Sequence, residues 1–146
     1  MVADSRERID LFRGLILKPN EVEAAAAAGI PPGQSDSWEE MMRVGLALQS
    51  RNGRPCIVTL GEKGALWCEN GRAVPVKTRK AEPPVDIVGA GDTFLAAFCC
   101  AYGSGAPGED ALAFANLAAG VTVKKIGCTG TASPEEILRK RKEASL

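Results

Sequence analysis

Short apolar runs alternate with capped helical segments along most of this chain. Residues 14–17, Gly-Leu-Ile-Leu, predict a buried strand, and Asn20 then caps an alanine-rich helix. Residues 56–60 are rich in β-branched side chains and predict another buried strand, which stops at Gly61. Strands that alternate with helices predict a mostly parallel sheet in a three-layer α/β/α arrangement, with ligands at the carboxyl ends of the strands.

The remaining elements are one hairpin and several helices. Asn70-Gly71 separates residues 65–68 from 72–76 and is a strong signal for a two-residue β-hairpin. The first helix is predicted to end at Gly29, Pro31 and Pro32. Further helices are predicted from Ser37 to about Gly53, from 89 to 102, from 109 to 124 and from Ser133 onward. We expect one α/β domain over residues 1–146.

Composition narrows the function classes. Eighteen basic residues balance eighteen acidic ones, so no net field favours nucleic acid as a partner. The longest apolar run, 94–102, is too short for a membrane span, and the charged start does not predict an export signal. Five cysteines without a C-x-x-C pair, three of them in apolar runs typical of buried thiols, favour a reduced, cytoplasmic setting. Because the chain has no histidine, a general base must be a carboxylate, Lys, Cys or Tyr.

The turn Gly89-Ala90-Gly91-Asp92 opens an apolar helix. Its glycines allow successive backbone N–H groups to converge on an anion at the helix N-terminus. A Rossmann turn would need a third glycine where Phe94 stands, and the Gly-Lys-Ser/Thr of a P-loop is absent from the sequence. The pattern therefore predicts an anion hole of another kind.

Asp92 has two interpretations. A carboxylate in the first helical turn is stabilised by the helix dipole and can be a capping device. A carboxylate beside a phosphate-holding turn is also where phosphoryl transfer needs a general base. The glycine turn favours the second interpretation.

Other candidate residues also have ordinary local explanations. Asn20 and Glu23 have capping-box spacing, but Glu23 could also hold hydrated Mg²⁺ while Asn20 contacts phosphate. Residues 59–64 could be a plain turn between strands. Asn116 could be an exposed polar residue of a helix, and Asp86 could merely start a turn.

Four motifs in this order resemble the signatures of the PfkB carbohydrate kinases, a ribokinase-like family. The resemblance spans essentially all 146 residues. The motifs are Lys18-Pro19-Asn20-x-x-Glu23, Val58-Thr59-Leu60-Gly61-x-x-Gly64-Ala65, Asp86-x-x-Gly89-Ala90-Gly91-Asp92-Thr93-Phe94 and Ala115-Asn116.

The resemblance implies an enzyme that transfers the γ-phosphoryl group of ATP to a hydroxyl of a sugar or sugar phosphate. Asp92 would be the base, and Gly89, Ala90 and Gly91 the anion hole. Glu23 would hold Mg²⁺ through water. The resemblance also implies a potassium-like ion at Asp86 and carbonyls near 122–131. Nucleotide-binding positions would be Asn20, Thr59, Leu60, Gly61, Gly64 and Asn116.

Family chains are about twice as long, so the resemblance implies the carboxyl-terminal portion of a ribokinase-like fold without its sugar-binding and lid half. That half, or a second copy, would be a partner. Residues 116–136 look particularly like the heptose-phosphate kinases, although a nucleoside or vitamin-precursor acceptor stays open. The alternative function is a catalytically silent nucleotide-binding module, or an assembly subunit that pairs through an exposed sheet edge.

Overall fold

A computed structural model describes residues 1–30 and 37–144 of the chain. The chain divides into two compact units, Met1–Val76 and Lys77–Leu146. One domain over residues 1–146 stays a prediction. Pro31 and Pro32, expected at the end of the first helix, lie outside the described residues.

The first unit contains a sheet in the order β1-β2-β3-β4-β5. β1 runs parallel to β2 and β2 parallel to β3, whereas β3 pairs antiparallel with β4. Because three strands run in one direction, their carboxyl ends share one edge of the sheet. The strands are β1 Val2–Ala3, β2 Ile16–Leu17, β3 Cys56–Thr59, β4 Gly64–Glu69 and β5 Arg72–Lys77.

The hairpin between β4 and β5 confirms the Asn-Gly signal. Asn70 has φ 50° and Gly71 has φ 73°. Two consecutive left-handed residues form the turn whose twist matches that of paired strands.

Two helices of the first unit, α1 Glu21–Ala27 and α2 Trp38–Asn52, pack against strand β3. The Ser37 side chain accepts a hydrogen bond from the Glu40 amide, which confirms Ser37 as the N-cap of α2. The predicted apolar stripe of α2 is buried in the core with residues from the strands. These core residues include Leu17, Met41, Val44, Leu48, Val58 and Leu66.

The second unit is built from the helices α3 Ala90–Gly103, α4 Gly108–Thr122 and α5 Pro134–Ala144. α3 packs against α4, and Phe94 and Phe98 of α3 are buried. A groove of about 910 Å³ is lined by apolar side chains of all three helices. Across residues 1–30 and 37–144, no helix combines the length and apolar character that crossing a membrane would need.

Candidate functional site

Asn20 and Thr59 are brought together at the carboxyl ends of β2 and β3. They form an isolated parallel bridge, and the Thr59 amide donates to the Pro19 carbonyl at 3.0 Å. Two of the predicted nucleotide-binding residues therefore lie side by side, at the sheet edge where α/β proteins bind ligands.

Asn20 and Glu23 form the capping box that their spacing predicts. Asn20 Oδ1 accepts from the Glu23 amide at 2.8 Å, and Glu23 Oε2 accepts from the Asn20 amide at 2.8 Å. These bonds use one oxygen of each side chain. A carboxylate has two oxygens with about four acceptor positions, so capping does not prevent Glu23 from binding a hydrated ion.

The loop between β3 and β4 depends on glycine. Gly61 has φ 54° and Gly64 has φ 113°, backbone angles that residues with a Cβ rarely adopt. Leu60 is only 4% exposed, and its amide donates to the Gly64 carbonyl at 2.8 Å. The Leu60 side chain belongs to the core, so this residue can offer a ligand only its backbone.

The glycine turn before α3, where the sequence predicts an anion hole, lies at the N-terminus of the helix. Gly89 is the N-cap of the helix with φ 77°, and it provides no side-chain cap hydrogen bond. The Ala90 amide donates to the Ile87 carbonyl at 3.1 Å. A Cβ added at Gly91 would meet nothing within 4 Å, so the space beside this residue is open.

Asp92 is exposed in the first turn of α3, and Thr93 beside it is fixed by hydrogen bonds. The Thr93 hydroxyl donates to the Gly130 carbonyl at 3.2 Å. It accepts from the hydroxyl of the fully buried Thr122 at 3.1 Å. The first turn of α3 is thereby attached to the segment after α4, whereas the Asp92 carboxylate faces solvent.

Asp86 uses both carboxylate oxygens in hydrogen bonds. Oδ1 accepts from the Val88 amide and Oδ2 from the Gly127 amide, each at 3.0 Å. The Val88 amide first, and then the Gly127 amide, holds the pKa of Asp86 below its usual range. Asp86 therefore connects the glycine turn to the segment after α4.

Asn116 lies on α4 and is 8% exposed. The interpretation of Asn116 as an exposed helix residue is therefore wrong. Buried amide side chains are generally hydrogen-bonded, so its orientation is restricted.

Asp4 and Lys18 form an ion pair at the same sheet edge, which the sequence did not indicate. Their Oδ2 and Nζ atoms are 2.8 Å apart, and the Lys18 side chain is only 6% exposed. Each residue directly follows its strand, β1 or β2. The sequence shows that each of these polar residues directly follows a buried strand. It does not show that the two strand ends lie side by side.

In the described part of the chain, no three His, Cys, Asp or Glu residues gather into a group that could hold a metal ion. A magnesium ion that keeps most of its water needs only one or two protein carboxylates beside phosphate oxygens. Glu23 at the sheet edge meets that smaller requirement.

The sequence pattern of the pfkB family carbohydrate kinases matches residues 15–136. This chain belongs to that family. It is 38% identical over 134 residues to the bifunctional protein HldE of Trichlorobacter lovleyi, covering 87% of this chain and 26% of that protein. The HldE protein of Nitratiruptor sp. is 37% identical over 137 residues, which cover 92% of this chain and 28% of that protein. The chain thus spans about a quarter of the length of these relatives.

Solved structures confirm the predicted ribokinase-like α/β fold. Ribokinase of Arabidopsis thaliana, complexed with ribose and ATP, has a TM-score of 0.78 and 29% identity over 92% of this chain and 42% of that chain. Ribokinase of Thermotoga maritima has a TM-score of 0.74 and 28% identity, and the match covers 87% of this chain and 42% of that chain. A phosphofructokinase-2 mutant of Escherichia coli, 18% identical, has a TM-score of 0.77 and shows the fold alone.

Proposed function

We propose that this chain carries the catalytic residues for ATP-dependent phosphorylation of a sugar or sugar phosphate. Membership of the carbohydrate kinase family supports the reaction class. The similarity to a ribokinase that was solved with ribose and ATP supports ATP as the donor. The chain is more identical to the HldE proteins than to the ribokinases, and residues 116–136 resemble the heptose-phosphate kinases. Both observations favour a heptose phosphate as acceptor.

The observation that carries the proposal is the open glycine turn followed by the exposed carboxylate of Asp92. In the proposed reaction, Asp92 accepts the proton of the sugar hydroxyl while that oxygen bonds to the γ-phosphorus of ATP. The bond from the γ-phosphorus to the bridging oxygen breaks, and ADP leaves. In this proposal the backbone amides of Gly89, Gly91 and Asp92 stabilise negative charge on the transferring group, whereas the Ala90 amide already donates to the Ile87 carbonyl.

The other residues bind and orient the nucleotide in this proposal. Asn20 contacts phosphate, and Glu23 would hold hydrated Mg²⁺, which neutralises charge on the phosphate oxygens when it is bound. The remaining nucleotide-binding positions are Thr59, Leu60, Gly61, Gly64 and Asn116.

Replacing Asp92→Asn tests the base assignment. The amide keeps the size of the side chain but cannot accept the proton. We expect ADP release in the presence of sugar phosphate to fall by about 10²–10⁴-fold. The affinity for Mg-ATP, measured by calorimetry, should stay unchanged.

Asp110→Asn is the matched control, because Asp110 is also an exposed carboxylate in the first turn of a helix. It should leave turnover unchanged. Turnover of Asp92→Asn equal to that of the unaltered chain would exclude Asp92 as the base. An equal loss in both variants would instead point to a helix-dipole effect.

A second candidate function is nucleotide binding without turnover, within a larger assembly. This candidate is favoured because the chain spans only 42% of the length of the two ribokinases. Such a module would melt at higher temperature with Mg-ATP yet release no ADP when sugar phosphates are added. Light scattering after size exclusion would show whether the chain assembles, and a monomer would argue against pairing through a sheet edge.

A further inference from the structure

A buried hydroxyl of α4 lies against the first turn of α3. Thr122 is fully buried, and its hydroxyl lies 3.1 Å from the Thr93 hydroxyl and 3.4 Å from the Ala118 carbonyl. A threonine inside a helix often bonds the carbonyl four residues earlier, which is that of Ala118 here. A hydroxyl has one proton to donate, and the shorter distance favours Thr93 as the acceptor. Thr122 therefore joins α4 to the start of α3.

Thr93 extends this attachment to the segment after α4. Its hydroxyl donates to the Gly130 carbonyl at 3.2 Å. Gly130 is closely surrounded, because a Cβ added there would lie 3.0 Å from Cδ of Lys125 and 3.2 Å from Cγ2 of Thr122. Nζ of Lys125 in turn lies 2.9 Å from the Glu136 carboxylate. The carbonyl that Thr93 bonds thus belongs to a packed segment.

These bonds attach a helix start whose N-cap residue has no side chain. Gly89 provides no side-chain cap hydrogen bond, and the Thr93 amide donates to the Gly89 carbonyl at 2.9 Å, which closes the first turn. Successive residues of a helix point about 100° apart, so Thr93 faces the segment after α4 while Asp92 faces solvent. Fixing Thr93 therefore restricts the direction in which the Asp92 side chain leaves the helix.

We propose that Thr122 is a positioning residue: its hydroxyl, acting through Thr93, holds the first turn of α3 and so sets the direction of the Asp92 carboxylate. Because Thr122 has no exposed surface, it acts without contacting a ligand. Its effect on turnover rests on the proposed function of Asp92, whereas its attachment of the turn does not.

Exchange of the Thr93 amide hydrogen in the nucleotide-free chain, followed by NMR, tests the attachment. Thr122→Val keeps the shape of the side chain and removes the hydroxyl. We expect the Thr93 amide to exchange about fivefold faster in this variant, because opening the turn no longer breaks a bond between hydroxyls. Thr122→Ser retains the hydroxyl and should exchange at a rate close to that of the unaltered chain.

Ser104→Ala is the matched control, because the Ser104 hydroxyl also bonds a backbone carbonyl, that of Cys100, but at the other end of α3. It should leave exchange of the Thr93 amide unchanged. Equal exchange rates in Thr122→Val and in the unaltered chain would overturn the inference. So would exchange in Thr122→Ser as fast as in Thr122→Val, because packing of the methyl group would then explain the effect.

A double substitution separates the bond to Thr93 from the bond to Ala118. Thr93→Val removes the hydroxyl through which Thr122 acts. In that background we expect Thr122→Val to cause no further increase in exchange of the amide at position 93. Additive effects of the two substitutions would show that Thr122 acts independently of Thr93, contrary to the proposal.

Turnover of ATP with a sugar phosphate supplies the functional measurement. We expect Thr122→Val to lower kcat about tenfold with the KM for sugar phosphate nearly unchanged, because a displaced base slows the transfer rather than binding. Thr122→Ser should restore kcat. A kcat in Thr122→Val equal to that of the unaltered chain would contradict the positioning role. If the unaltered chain showed no turnover, the proposed function would fail, and the exchange experiment would still decide whether Thr122 holds the turn.

Discussion

Gly89 and Gly53 have the same left-handed backbone conformation but lie in different places. Comparing alanine substitutions at the two positions therefore distinguishes backbone strain from an effect on nucleotide binding. Gly89, at the start of α3, has φ 77°, and Gly53, at the end of α2, has φ 71°. A Cβ at Gly89 would lie 3.1 Å from Cγ2 of Thr129, whereas one at Gly53 would meet nothing within 4 Å. Both positions need glycine for the backbone, but only Gly89 belongs to the glycine turn.

We expect Gly53→Ala to lower the free energy of unfolding by about 1–2 kcal/mol, the strain of a left-handed residue with a Cβ. Gly89→Ala should lower it further, because its Cβ would also crowd Thr129. Gly89→Ala should also weaken Mg-ATP binding, because the turn amides would shift. Urea unfolding and calorimetry measure the two effects. Equal nucleotide affinity in the two variants would contradict the role of the turn.

At the N-terminus of α5, the Glu136 carboxylate both caps the helix and pairs with a lysine of the segment after α4. Glu136 Oε2 accepts from the Ser133 amide at 2.8 Å, and the Ser133 hydroxyl accepts from the Glu136 amide at 3.3 Å. Lys125 Nζ lies 2.9 Å from the same carboxylate. The Ser133 amide first, and then Lys125, holds the pKa of Glu136 below its ordinary value.

This pKa direction predicts how stability depends on pH. Because the pKa of Glu136 is lower in the folded chain, the ionised carboxylate stabilises the fold at pH values above about 4.5, the ordinary pKa of this group. That stabilisation is lost as pH falls through the lower folded value. Glu136→Gln should therefore lower the free energy of unfolding at pH 7 and weaken its dependence on pH below about 5, as measured by urea unfolding.

Glu143→Gln is the control for α5, because Glu143 is exposed on the same helix. It should keep the acid dependence of the unaltered chain. Parallel pH profiles for Glu136→Gln and the unaltered chain would contradict the assigned bonds.

Across the whole molecule, the cysteines differ in accessibility. Cys56 and Cys68 face each other across β3 and β4 and are fully buried, whereas Cys99, Cys100 and Cys128 are exposed. Burial raises the pKa of Cys68 to about 12, and burial together with Cys68 raises the pKa of Cys56. Cys99 and Cys100 lie in an apolar run typical of buried thiols, so for these two the expectation of burial is wrong.

Thiol labelling should distinguish the two classes. In the folded chain at pH 8, we expect the three exposed cysteines to react with a disulfide reagent and the two buried ones to stay protected. Under denaturing conditions all five should react. Mass spectrometry of the labelled peptides checks the positions. Rapid labelling of Cys56 or Cys68 in the folded chain would contradict the packing of β3 on β4.

The sequence by itself determined the features that depend on near neighbours. The caps at Asn20, Ser37 and Ser133 and the Asn70-Gly71 turn involve residues within four positions of one another. Hydrogen bonds over such short separations follow from local residue types, so a pattern in the sequence can predict them. The ordered motifs also identified the family, which the match over residues 15–136 confirms.

The tertiary structure alone decided the contacts between distant segments. Lys124 bonds to Glu82 and Pro84, Asp86 bonds to Gly127, and Asp4 pairs with Lys18. Burial of Asn116 and exposure of Cys99 depend in the same way on which helix face meets a neighbouring element. Local periodicity shows that a helix has an apolar face but not which segment covers it, because that depends on the path of the whole chain.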